Sequence, residues 1–269
     1  MSHLSYSQVE TLLSCGEKYR LTRVEGIREE AAWWFIGGSA VHRATEFHDE
    51  GDDSPADQLF AKALAEQLSE IPDGAVIRTA GRPSKAWPGG EDADWWQHHG
   101  PEFVQSWMDW RAQNPNLVLV PLTTADVSPV EVQVGASTPD GVALRGFIDR
   151  VFSDQDTGDL LIVDLKTGKN SPVSSLQMDF YRYALTQTLG VNAHFGAFWM
   201  ARKGTLAGVH ELWRTDEQIE DMLRKSRVII DNELFIPHLG FLCPSCGVKD
   251  FCTAYTNTNN SDTTVKEIA

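Results

Sequence analysis

The chain has only four cysteines, and their placement restricts the folds open to it. Cys15 stands alone near one end, while Cys243, Cys246 and Cys252 form a C-x2-C-x5-C group more than two hundred residues later. Free cysteine behaves as a small hydrophobe, so four incidental buried thiols are one reading. The C-x2-C spacing is, however, what two thiolates need to grip one centre. A disulfide scaffold does not suit a cytosolic chain of this length. That leaves a four-thiolate metal site, either tetrahedral zinc or an iron–sulfur cluster, and spacing alone does not choose between them. Either would bring the two ends of the chain together, and closing so long a loop restricts the unfolded chain. No open coordination position is implied, so the site reads as structural.

At 269 residues, 42% apolar and 23% charged, the chain has the make-up of an ordinary globular protein able to bury a core. No apolar run approaches the ~20 residues of a membrane span. The opening MSHLSYSQVE lacks the basic and apolar regions of a secretory signal. The expectation is a cytoplasmic protein with no membrane partner. A net charge of −15 weighs against tight non-specific nucleic-acid binding. Acidic residues that hold a divalent metal become locally positive only once the metal is present. Basic residues also gather near the motifs below: Arg150, Lys166, Lys169, Arg182, Arg202 and Lys203.

Ser5-x-x-Gln8 has the form of a capping box, and the apolar spacing of Val9, Leu12 and Leu13 predicts a helix that delivers Cys15. A second helix is expected after Gly37-Gly38-Ser39, with His42 and Glu46 on one face. Ser54-Pro55 opens a third, through roughly Ser69. Residues 71–100 are rich in Gly, Pro and Trp and read as irregular. A helix from about Trp95 to Gln113 carries Trp96, Phe103, Trp107 and Trp110, which are core residues more often than a base-stacking platform. Strands follow at Val130–Val134, Val142–Phe152 and Leu160–Leu165, then a helix at Ser174–Leu189. Strands at Phe195–Ala201 and Gly208–Leu212 lead to a helix that Thr215-x-x-Gln218 starts toward Asn232. This order predicts an α/β domain with a mixed sheet behind a helical N-terminal region.

Asp164 and Lys166 lie two apart on a strand and share a face with apolar Ile162. A buried carboxylate and ammonium require a reason, since unpaired buried charge is costly. A salt bridge at a sheet end is one such reason. Asp149 sits near the end of the preceding strand, where antiparallel pairing would bring it alongside Asp164. Two carboxylates that hold divalent cations, with a lysine beside them, are what phosphodiester hydrolysis needs. His42, taken alone, reads as an ordinary helix histidine, but it could complete the metal shell.

These stretches resemble the PD-(D/E)xK nuclease superfamily, and specifically its RecB-like branch with four cysteines, which includes CRISPR-associated nucleases and phage exonucleases. The resemblance runs in order from Ser5 to Cys252. It rests on Gly38-x-x-x-His42-x-x-x-Glu46, Gly146-x-x-Asp149, Asp164-x-Lys166, Gln177-x-x-x-Tyr181 and the cysteines. It implies a restriction-endonuclease-like core, with a mixed central β-sheet flanked by helices and a cysteine module joining the N- and C-terminal segments. His42, Asp149 and Asp164 are implied as ligands for Mg²⁺ or Mn²⁺, and Lys166 as the catalytic lysine. Gln177 and Tyr181 are implied to position DNA or support the site. Cys15, Cys243, Cys246 and Cys252 are implied to hold a [4Fe–4S] cluster, with Zn²⁺ as the alternative.

The expected organisation is a helical region over 1–124, a nuclease core over 125–235, a cysteine segment over 236–255 and a disordered polar tail over 256–269. The expected function is a metal-dependent deoxyribonuclease, an exonuclease on single-stranded DNA or DNA ends, serving DNA recombination, repair or processing. The competing reading is a non-catalytic DNA-binding or adaptor subunit. There is no GxxxxGK[ST] phosphate loop, so a helicase or recombination partner would be a separate chain.

Overall fold

The computed structural model describes residues 3–120 and 130–256. The polar tail beyond Thr256 and the expected boundary at 124/125 lie outside the described residues. The chain divides into two compact units. One comprises Met1–Glu30, Ser137–Leu144 and the segment from Glu220 onward, and the other comprises Ala31–Ala136 and Arg145–Ile219. No helix among the described residues is long and apolar enough to cross a membrane.

In the first unit, α1 (Tyr6–Ser14) starts where the Ser5 hydroxyl accepts the Gln8 N–H at 3.2 Å. It ends at Cys15, whose backbone is extended. Helix α2 (Gly16–Tyr19) runs on into a π-helical turn over Arg20–Val24. The two 3₁₀ turns Cys243–Ser245 and Lys249–Phe251 belong to the same unit.

The second unit holds α3 (Trp33–Asp49), α4 (Ala56–Ser69) and α5 (Ala93–Gln113), which pack on one another. Their core includes Ile36, Phe60, Trp96, Trp107 and Trp199. The tryptophans of α5 are therefore core residues. Helix α3 does not begin after Gly37-Gly38; both glycines lie inside it. A Cβ on Gly37 would sit 2.1 Å from the Trp96 ring, and one on Gly38 2.8 Å from Thr167 Oγ1. The glycines accept a helix-propensity cost of about 1 kcal/mol each because close packing leaves no room for a side chain.

The sheet comprises β1 (Leu117–Leu119), β2 (Val130–Ser137), β3 (Ala143–Asp154), β4 (Leu160–Lys166), β5 (Phe195–Met200) and β6 (Thr205–Glu211). Its order is β1-β3-β4-β5-β6, with β2 also paired to β3. The β3–β4 and β5–β6 pairs are antiparallel and β4–β5 is parallel, so the sheet is mixed. Strand β1 was not expected; three residues are too few to show an alternating pattern. Helix α6 (Leu176–Leu189) contacts β4 and β5, and a Cβ on Gly196 would meet Met178 at 2.8 Å. Helix α7 (Asp216–Asp231) opens on a reciprocal capping box. Gln218 N–H donates to Thr215 Oγ1 at 3.3 Å, and Thr215 N–H donates to Gln218 Oε1 at 3.0 Å. This is the mixed α/β architecture of a restriction-endonuclease-like core, a curled sheet flanked by helices.

One buried polar hub ties α3, α5 and β3 together. Asp49 Oδ2 accepts from Arg150 Nε at 2.6 Å and from Trp107 Nε1 at 3.1 Å, while Oδ1 accepts from Arg111 Nε at 3.3 Å. Arg150 also donates to the Asp149 carbonyl at 2.7 Å and to Thr45 Oγ1 at 3.2 Å.

Candidate active site

Strand β4 is buried along most of its length, as Ile162, Val163 and Leu165 show. Asp164 is buried with them, and Lys166 emerges at the strand end with its side chain 32% exposed. The β3–β4 ladder runs to Arg150 opposite Val163. One further step of that register sets Asp149 opposite Asp164, and opposed residues of an antiparallel pair share a face. Beyond the ladder, the Leu165 N–H donates to Asp149 Oδ2 at 2.6 Å. Helix α3 brings His42 to the same place, its Nδ1 lying 3.4 Å from Asp149 Oδ2. Arg150 supports this alignment, since it grips Thr45 and Asp49 of α3 while sitting next to Asp149.

The structure gathers His42, Glu131 and Asp149, whose ligand atoms all lie within 4.8 Å of one another. Asp164 stands beside this group, outside that radius. Its Oδ1 accepts from Gln177 Nε2 at 2.7 Å, and its Oδ2 lies 2.5 Å from Lys166 Nζ. Lys166 is the ion partner of that oxygen. Gln177 also donates to Tyr181 Oη at 2.9 Å, so both residues of the α6 motif contact the Asp164 side of the site.

Glu131 is the residue that sequence reasoning missed. In Val130-Glu131-Val132-Gln133-Val134 it reads as the solvent-facing position of an alternating strand. Its backbone is left-handed, with φ 51°, a conformation that costs a non-glycine residue about 1–2 kcal/mol. Such strain clusters at functional sites, and no sequence motif announces it.

The electrostatics show how crowded the acids are. Burial, then Asp149 and Glu46, push the Glu131 carboxyl up to about 8. Burial likewise raises Asp164 to about 6; Lys166 opposes that rise and Asp149 adds to it. Burial disfavours charge on His42, but Asp149 outweighs it and lifts the imidazole to about 8. Asp149 is itself held well below the usual carboxylate range: burial opposes its ionisation, while His42 and the Leu165 N–H overcome that cost. Burial and the neighbouring Asp164 and Asp149 push the Tyr181 phenol far up. Crowding of this kind is relieved by positive charge placed among the carboxylates.

That arrangement fits a divalent metal. One imidazole nitrogen and several carboxylate oxygens suit Mn²⁺, and Mg²⁺ less strongly for the nitrogen. His42, Asp149 and Glu131 would hold the ion, with Asp164 adjacent. The basic residues expected near the motifs are largely committed elsewhere. Arg150 pairs with Asp49, Arg182 with Asp216, and Arg202 and Lys169 with Glu91.

In the first unit, Cys15, Cys243, Cys246 and Cys252 line one cavity together with Lys18, His238 and Lys249. The His238 N–H points at Cys15 Sγ (3.4 Å) and the Gly240 N–H at Cys243 Sγ (3.3 Å). Among the described residues no three of these sulfurs gather within 4.8 Å. Zinc–sulfur bonds of ~2.3 Å would hold tetrahedral sulfurs only about 3.8 Å apart.

Residues 3–253 match the PD-(D/E)XK nuclease superfamily. The chain belongs to that superfamily, which places it among the divalent-metal-dependent nucleases. Two similar curated proteins come from phages and are each named Gene 69 protein. That of Mycobacterium phage L5 is 26% identical, over 74% of this chain and 76% of its own length. That of Mycobacterium phage D29 is 25% identical, over 70% of this chain and 71% of its own. Among solved structures, the crystal structure of SSO0001 aligns over 93% of this chain and 95% of its own. Its TM-score is 0.35 and its identity 12%, too remote to add to the assignment.

Proposed function

We propose that the protein is a Mg²⁺- or Mn²⁺-dependent deoxyribonuclease of the RecB-like branch, an exonuclease acting on single-stranded DNA or DNA ends. The observation that carries this reading is the convergence of His42, Glu131 and Asp149 beside Asp164 and Lys166, just past the end of the β3–β4 ladder. A divalent cation held there would supply Lewis acidity toward a phosphoryl oxygen and toward water. Lys166 orients the attacking water and offsets charge that builds on the phosphoryl group. Gln177 and Tyr181 fix the Asp164 carboxylate. The water oxygen bonds to phosphorus, the ester oxygen leaves, and the proton released by water ends on that leaving oxygen.

The reading of Cys15, Cys243, Cys246 and Cys252 as ligands of a [4Fe–4S] cluster rests on their resemblance to the four-cysteine branch, with a zinc ion as the alternative. On this reading residues 236–255 form the module that returns to Cys15. The nuclease works in DNA recombination, repair or processing, with any helicase supplied as a separate chain.

End-labelled linear and circular DNA, single- and double-stranded, incubated with Mn²⁺ or with EDTA, tests the activity. Metal-dependent loss of label from linear single strands or ends is expected. Binding to DNA without cleavage in any divalent metal would make the protein an adaptor instead. Anaerobic purification with metal analysis tests the cluster, and zinc without iron would overturn it.

A further inference from the structure

Three exposed aromatic side chains line the same cleft as the metal-binding group. Among the described residues of this unit only four Trp or Phe side chains are strongly exposed: Trp34, Phe35, Phe147 and Trp213. The first three border a cleft of about 550 Å³ that also contains His42, Glu131 and Asp149. Large aromatic rings left in water beside a reaction centre point to a ligand that covers them.

The secondary structure explains their alignment. Phe35 and His42 are seven apart on α3, two helical turns along one face and about 10 Å by helical rise. Phe147 and Asp149 are two apart on β3, on one face and about 7 Å apart. Phe35 is 71% exposed and Phe147 55%. The Arg78 guanidinium backs the Trp34 ring at 5.0 Å.

Charge decides what such a rim is for. The chain carries a net charge of −15, and Arg43 in the cleft is paired with Glu46 and Glu66. Phosphate attraction is therefore weak apart from the metal. A polynucleotide bound here must draw affinity from another source, and every base offers a π-face.

We propose that Phe35 and Phe147, flanked by Trp34, form a base-stacking rim that holds unpaired nucleobases of a single strand beside the metal centre. Paired bases, stacked within a duplex, do not offer their faces, so the rim selects a single-stranded stretch or a frayed end. This inference rests on the nuclease reading of the site.

The test measures binding to Lys166→Ala protein in Mg²⁺, which is expected to hold the strand without consuming it. The probes are fluorescent oligothymidylate and an abasic strand of equal length and charge. Oligothymidylate is expected to bind at least about tenfold more tightly. Adding Phe35→Ala and Phe147→Ala removes that preference, while Phe35→Trp retains it. The affinity also falls only weakly with salt, because few phosphates are neutralised. Equal binding of the two strands, or a preference unchanged by the double alanine variant, overturns the rim and leaves the nuclease reading intact if wild-type protein still degrades DNA. Failure of the wild type to cleave any DNA in any divalent metal overturns both.

Discussion

Arg150 Nε lies 2.6 Å from Asp49 Oδ2, with both side chains almost wholly shielded from water. The pair joins β3 to α3 immediately behind the residues that converge on the metal centre. Buried ion pairs of this kind stabilise little in net terms, but they are costly to break on one side only.

Asp49→Ala, which strands both Arg150 and Arg111, is expected to lower unfolding free energy by about 3–5 kcal/mol. Combining it with Arg150→Met recovers much of that loss, because no unpaired guanidinium then remains at the centre of the hub. Urea denaturation of the single and double variants measures the difference.

Lys166→Ala and Asp164→Ala are expected to reduce metal-dependent DNA cleavage by about a hundredfold or more. Undiminished cleavage by either variant would remove Lys166 and Asp164 from the chemistry.

Glu131→Asn separates folding from function. Asparagine tolerates a left-handed backbone, so folding free energy should hold steady or rise by up to about 1 kcal/mol. Divalent-metal affinity should fall about tenfold or more, as read by calorimetric titration of Mn²⁺. Unchanged affinity would exclude Glu131 from the metal shell.

A pH effect is expected away from the site. Burial opposes the charge on Glu91, but Lys169 and Arg202 outweigh it and hold its carboxyl below the ordinary value of 4.5. A carboxyl lowered on folding contributes stability that is fully present above its unfolded pKa and is lost as pH falls through the folded one. Glu91→Gln should therefore destabilise the protein near neutrality, as urea denaturation would measure. The gap to wild type should begin to close only below about pH 4.5. A gap that instead narrows between pH 8 and 6 would contradict the assignment.

What could be read from the sequence depended on how locally each feature is encoded. The caps at Ser5 and at Thr215–Gln218 declare themselves within four residues, and the alternation in Val130–Val134 needs no distant partner. Asp164-x-Lys166 was legible because charge inside an apolar strand is conspicuous. Gly37-Gly38 was read as a boundary because the reason for tolerating glycine there, the Trp96 ring, lies about sixty residues away in sequence. Glu131 was invisible for a similar reason. Its membership in the site depends on a backbone angle and on elements that come together only in the folded chain. Phe35 and Phe147 looked like any other apolar residues until their exposure was known.

The cysteine cavity has a consequence for how the molecule is made. More than two hundred residues separate Cys15 from Cys243, so the four-sulfur pocket cannot form until that whole stretch has been synthesised. Any centre held by all four sulfurs would load only after Cys252 has been made, and a chain cut short before Cys243 would offer it Cys15 alone. The pocket thereby reports on synthesis in one direction: it can close only once the chain has been made through Cys252.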